Sequence, residues 1–426
     1  MHKIRIIYLF VFVAIIASFP NIAQAQTSIS SPYSRFGIGN VNIFNNPINN
    51  AMGGVGYGFQ RNNSINYMNP ASYAGIDTTS LVFDIGFYSE WLSIKTDKYK
   101  STGNNTSLSH ILIGFPVGSK LKFALGIMPL SSVNFTTIKD SISPETGKYR
   151  ETYTADGGLN KAALGFAYEP IKNLSFGVNF EYVFGNYYKA STISFPDSSY
   201  MFSSRVENNY HVRAFNLSFG VQYFQPLKNG DRLGVGIVYD YLSKFPTDNI
   251  LSSYTFTTSA GLEYLKDSIL EVKTNNSITY PSIIGLGFSY ERPNKFFFGI
   301  DGRYETWSDF LFQKNYQNNN LVNNLKISVG GEWKPDAYGS FFKKSIYRFG
   351  FFYDDGMLEF NNTRINQYGI SCGFGFPIKK SNTMINLSLE YIKRGTTQNN
   401  LIQEDYFRLG LSFSAKDLWF FKRKYQ

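Results

Sequence analysis

The 426-residue chain has one cysteine, Cys372, and three histidines, His2, His110 and His211. A lone thiol cannot staple the chain to itself, and its distance from the N-terminus excludes a lipid anchor on a leading cysteine. With His2 lost in a leader, two distant histidines make a poor ligand set for zinc. Neither sits beside a GxSxG-like elbow, so the chain reads as a non-enzyme with no metal or other cofactor. A hydrolase built on His110 or His211 with a serine and a carboxylate is the alternative that composition leaves. Beyond the first residues, no apolar run reaches the ~18 residues of a membrane-spanning helix.

The N-terminal stretch MHKIRIIYLFVFVAIIASFPNIAQAQ places Lys3 and Arg5 ahead of an apolar run from Ile6 to Ala17, then Ala23, Gln24 and Ala25 as a small-x-small cleavage site. This reads as a secretory signal peptide over 1–25. The net charge of +10 drops by two when Lys3 and Arg5 leave. Nucleic acid is the usual first partner for a basic chain. Here the cations gather near short turns: Lys120, Lys172, Lys228, Arg292, Lys295, Lys343, Lys344, Lys379 and Lys380, with Lys422, Arg423 and Lys424 in a basic tail over 416–426. A cationic rim suits anionic lipid head groups, so lipid and lipopolysaccharide are the expected surroundings and nucleic acid is not.

The chain is rich in rings, with 40 Phe, 31 Tyr and 37 Gly. Their period says where the rings go. In LSFGVNFEYVFG, Leu174, Phe176, Val178, Phe180, Tyr182 and Phe184 share one face, and Ser175, Gly177, Asn179, Glu181 and Val183 the other. Phe215, Leu217, Phe219, Val221 and Tyr223 alternate with Asn216, Ser218, Gly220 and Gln222; Ile385, Leu387, Leu389 and Tyr391 alternate with Asn386, Ser388 and Glu390. Asp84, Lys161, Glu181, Asp301, Arg303, Glu305, Glu332, Arg348 and Arg408 all fall opposite the apolar face, and Trp307 is counted with them. Charges there need a wet or self-paired interior, which a sandwich core does not offer. Apolar outside and polar inside at a period of two is the pattern of a transmembrane β-barrel.

Fourteen such segments lie between 80–96 and 402–415, the seventh at 231–245 and the eighth at 276–291. The expected fold is an all-β, antiparallel, outer-membrane barrel over 80–415. Short connections such as VGSK, PIKN and RPNK mark the periplasmic end; Lys139 to Asp156 and Ser243 to Asn275 read as long external loops, as does NYQNNNLVNN at 315–324. An even strand count then places both chain ends in the periplasm.

The stretch AMGGVGYGFQRNNSINYMNPAS carries Gly53, Gly54, Gly56 and Gly58. A dinucleotide loop would put a third glycine at Phe59 and start a helix after it; here turn formers and a proline follow. A periplasmic linker is the plainer reading, but it would leave Tyr57, Phe59, Tyr67 and Met68 exposed. LKFALGIMPLSSVNF breaks its alternation at Pro129, which cannot donate to a ladder and marks either a bulge in the wall or a rim position.

YETWSDF at 304–310, preceded by YPSIIGLGFSYERPNKFFFGIDGR at 280–303, resembles a strand pair of the FadL/TodX family of outer-membrane transporters for hydrophobic compounds, and AMGGVGYG with NYMNPAS resembles that family's segment before its first strand. The resemblance implies that 26–79, with Gly53, Gly54, Gly56, Gly58, Asn69, Pro70 and Ala71, folds back as a hatch in the lumen. It also implies that Pro129 lies at a lateral window, and that the ligand is a long-chain fatty acid or an aromatic hydrocarbon. SPYSRFGIGN and the high Asn and Tyr content resemble outer-membrane proteins of Bacteroidetes, where PorV-like barrels of similar fold dock partners of a protein secretion system. Secretion components are therefore the alternative partners.

Overall fold

The computed structural model describes residues 31–418, apart from 42–45, 199, 242, 260–261, 313–319, 337–338 and 379–380. The expected leader, Lys379, Lys380, the basic residues 422–424 and half of the Asn-rich loop lie outside the described residues. No described helix is long and apolar enough to cross a membrane.

Sixteen main strands follow one another: β1 Ser80–Lys95, β2 Lys100–Pro116, β3 Leu121–Ser143, β4 Gly147–Ile171, β5 Leu174–Ser194, β6 Ser203–Pro226, β7 Arg232–Asp240, β8 Ser243–Ser259, β9 Leu262–Tyr280, β10 Ile283–Arg292, β11 Phe296–Glu305, β12 Asn324–Trp333, β13 Ile346–Asp354, β14 Gln367–Pro377, β15 Met384–Gly395 and β16 Gln403–Leu418. β6 pairs with β7 near its end and with β8 near its start, so β7 and β8 are one stave interrupted after Asp240. β10 continues β9 in the same way. The wall is thus a closed, antiparallel, fourteen-stave barrel, sealed where β1 pairs with β16 from Ser80↔Leu418 to Lys95↔Gln403. The protein is an outer-membrane β-barrel.

The alternation reads out as drawn. Phe176 and Phe219 are 45% and 40% exposed on the outside, while Asn179 and Ser218 are buried inside at 0% and 6%. Ladder pairing between neighbouring staves satisfies backbone donors, which is what lets strands cross lipid at all.

Two expectations change. Lys139–Asp156 and Ser243–Asn275 are not irregular loops: β3 and β4 run on to a turn at 144–146, and β8 pairs with β9 from Ser259↔Leu262 to Ser243↔Tyr280. Outside lipid the outward face no longer needs apolar residues, so the ladder continues under a polar sequence that the period-two pattern cannot flag. The second concerns the chain's start. β16 ends at the short-turn end, but Ser31 lies at the opposite end, donating from its hydroxyl to Glu404. The segment from Ser31 therefore descends the lumen before entering β1 at the periplasmic side.

Candidate functional site: a lumenal chamber and its boundaries

The descending segment is built from short capped turns. Asn46 Oδ1 accepts from Ile48 N at 2.8 Å to cap a helix at Pro47–Asn50. Asn69 Oδ1 accepts from Ala71 N at 3.0 Å to cap a 3-10 turn at Pro70–Gly75, with Pro70 in its first position. Between them Gly53 and Gly54 take φ of 69° and 89°, conformations that side chains rarely adopt. A Cβ on Gly350 of β13 would lie 2.0 Å from Gly53 N, so segment and wall meet backbone to backbone. Gly53 N donates to Ser371 Oγ at 3.0 Å, and Gly58 O accepts from Ser289 Oγ at 2.8 Å.

Wall charges grip this segment. Asp301 Oδ2 accepts from Gly56 N at 2.6 Å and from Tyr57 N at 2.8 Å. Glu181 accepts from Tyr67, from Lys161 at 3.3 Å and from Asn216 at 2.9 Å. Arg61 pairs with Glu291 at 2.7 Å and with Glu332, which also holds Arg348 at 3.1 Å. At the adjoining turn, hydrogen bonds from Arg292 and Tyr290 hold the Asp231 carboxyl down at about 2.

Above the segment is a cavity of about 190 Å³. Of the residues singled out in the sequence, it brings together Gly53, Gly54, Asp301, Arg303, Glu305, Trp307 and Arg408. Trp307 Nε1 donates to Glu305 Oε2 at 2.6 Å, Arg303 pairs with Glu305, and Arg408 pairs with Glu90 at 2.5 Å and Glu390 at 3.8 Å. Glu90, Lys326, Asp354, Glu390 and Arg394 also line it, beside Tyr57, Met68, Phe352, Met357, Ile365 and Ile392. Of these, Lys326 was legible from its place between outward Leu325 and Ile327. Asp84, Lys161, Glu181, Glu332, Arg348, Gly56, Gly58, Asn69, Pro70, Ala71 and Pro129 do not line the cavity; they bind the segment, brace the wall or sit at its edge. Toward the long loops lies an apolar cluster that includes Tyr33, Ile38, Phe245, Tyr280, Trp307, Phe310 and Leu358.

One side of the cavity meets the end of a ladder. β2 and β3 pair only from Pro116↔Lys122 to Ile111↔Ile127. Beyond that, β3 shifts register toward β4 between Pro129 and Ser131, and its edge is taken by Asn40–Val41, paired to Ser132 and Ser131. Asn105 of β2, Ser132 of β3, Asn40 and Val41 all line the cavity. The shift leaves Leu130 unpaired beside Pro129, partway along β3.

His110 is fully buried, with Nε2 3.1 Å from Asp84 Oδ1 and Nδ1 2.8 Å from Ser109 Oγ. Serine, histidine and carboxylate do meet, and all three side chains are buried. His211 contacts Asn186 at 2.7 Å. Among the described residues no group of three or more His, Cys, Asp or Glu could hold a metal.

Solved structures share this fold. The CymD monoaromatic hydrocarbon channel aligns with a TM-score of 0.58 at 14% identity, over 89% of this chain and 98% of its own. The Pseudomonas putida toluene transporter TodX gives 0.58 at 14%, over 88% and 98%. A Pseudomonas aeruginosa FadL homologue gives 0.59 at 12%, over 88% and 99%. At such identities the likeness is one of fold. No curated protein matches. A family model described as BamG matches residues 3–426, and the chain belongs to the BamG family.

Proposed function

We propose that the protein is a passive outer-membrane transporter that takes up small hydrophobic molecules through the cavity and releases them sideways between β2 and β3. The observation that carries this reading is the ladder that stops at Ile111↔Ile127, with cavity-lining residues on both sides of the opening. A greasy solute crossing the polar lipopolysaccharide layer needs only a sheltered path into lipid, and no covalent chemistry. Arg303 pairs with Glu305, and Arg408 with Glu90 and Glu390, which leaves Met68, Met357 and Ile392 to meet an apolar body. At about 190 Å³ the cavity is smaller than the roughly 300–1,000 Å³ of drug-sized pockets, which favours a compact aromatic hydrocarbon over an extended fatty acid. Proteins with this fold include a monoaromatic hydrocarbon channel and a toluene transporter. In this reading the segment from Gly53 to Ala71 is the plug that keeps polar solutes out. Uptake of labelled toluene and labelled laurate by cells with and without the protein tests it: toluene uptake that depends on the protein supports the reading, and no dependence for either solute overturns it.

A second reading, docking of a secretion partner, is favoured by the stave extensions above the membrane. Ile138, Ile142, Tyr153, Phe202, Leu262 and Leu265 are exposed there, where no lipid covers them. Co-purification of secretion components or their clients after mild extraction, lost when these residues are made polar, would support it.

A further inference from the structure

From Asn46 to Ile76 the lumenal segment carries one charged side chain, Arg61. Its guanidinium is shared between Glu291 and Glu332, and each of these also serves a wall arginine: Arg232 sits 2.5 Å from Glu291 and Arg348 3.1 Å from Glu332. Three guanidinium groups thus divide two carboxylates. Around this knot lies a crater of about 480 Å³ at the periplasmic mouth, whose lining adds Arg292, Lys295 and Lys334. Arg292 is neutralised by Asp231 at 2.9 Å, but among the described residues no carboxylate lies within 4.0 Å of Lys295 or Lys334. The crater is therefore cationic in excess. Its floor is Gln60–Asn63 and the inward carboxylates of β10 and β12, so it lies inside the ring of staves, where bilayer lipid does not reach. Lys343 and Lys344 differ: their short helix stacks Phe341 on outward-facing Phe376 at 5.8 Å, which puts them on the lipid side.

We infer that this crater docks an acidic peptide segment of a periplasmic partner. Its carboxylates meet Lys295 and Lys334 first and then compete with Glu291 and Glu332 for Arg61, which loosens the ionic clasp on the lumenal segment. Docking at the mouth is in this way coupled to the segment's hold on the wall.

The test uses the full chain in nanodiscs of zwitterionic lipid and a fluorescent hexaglutamate peptide as probe. The peptide binds, its affinity falls as salt rises, and Lys295→Glu with Lys334→Glu weakens binding about tenfold or more, because like charges now face each other. Lys343→Glu with Lys344→Glu leaves peptide binding unchanged. Heat-modifiable migration confirms folding of each variant, and Lys295→Gln with Lys334→Gln replaces the reversal if it fails to assemble, with a smaller loss expected. Equal affinity in wild type and the crater variants overturns the inference, as does an equal loss in the Lys343 and Lys344 variant. Short-chain phosphatidylglycerol that binds with the same dependence on Lys295 and Lys334 would make the site a lipid one and overturn it too.

Discussion

Two seams flank the hairpin of β1 and β2. On one side β1 meets β16 along its whole length, from Ser80 to Lys95. On the other, β2 meets β3 only from Ile111 to Pro116. Both seams join staves of similar length and similar alternation, so neither length nor hydrophobicity explains why one closes and the other stops. The difference lies in two local irregularities: a bulge at Ser109, where Gly86 and Phe87 pair with His110 and Leu108, and the shift around Pro129 on β3. A proline removes a donor, and a bulge turns the strand, so the two edges part where both occur. The freed edge of β3 is then covered by chain from the lumen, Asn40–Val41, and not by another stave.

The largest effect comes from attacking the closed seam. Leu411, exposed to lipid opposite Leu387 and Phe87, should not tolerate arginine: the change costs roughly 2–4 kcal/mol near the bilayer midplane and should abolish the heat-modifiable band. Arginine at inward Ser388, the neighbour of Leu387, should leave the band and disturb only the segment packed beneath it. Equal loss at both positions would show that the two faces are not distinct.

Next in size is the lumenal segment. Replacing Gly53–Ala71 with a glycine-serine linker of equal length should leave the wall assembled, since the ladder closes without it, and should raise entry of small polar antibiotics. Antibiotic sensitivity equal to wild type would mean that the segment is not a plug. Arg61→Gln should leak far less, because Glu291 and Glu332 keep Arg232 and Arg348 and the segment keeps its bonds to Asp301 and Glu181. Smaller still is Pro129→Thr, which restores a ladder donor: solute uptake should fall while thermal stability, followed by the gel shift, stays close to wild type.

The closed seam was legible in the chain because lipid demands apolar residues at every second position, as in Phe83, Ile85 and Phe87 against Leu411 and Phe413. The same demand vanishes above the membrane, where Lys139, Asp140, Lys244 and Lys273 stand in regular strands that read as loops. Charges that line the cavity were legible by parity, Lys326 and Glu390 included. Which of them meet a cavity and which brace the segment was not, since that depends on where Tyr57, Arg61 and Tyr67 come to rest, far from their partners in sequence. Pro129 announced a break in the ladder; that β2 and β3 part there, and that Asn40–Val41 fills the edge, required the pairing itself. The descent from the long-loop end was equally hidden, because Ser31 finds Glu404 across almost the whole chain.

In the proposed function the solute leaves at the β2–β3 break, and one measurement addresses that exit directly. In a Cys372→Ser background, Asn40→Cys and Ser132→Cys place two thiols on directly opposed positions of the covering pair, within the usual reach of a disulfide. Labelled toluene uptake is then compared in oxidised and reduced cells. Oxidation, by pinning Asn40–Val41 to β3, should reduce uptake, and a reductant should restore it. Equal uptake in both states, with the disulfide verified on a gel, would contradict lateral release at this seam.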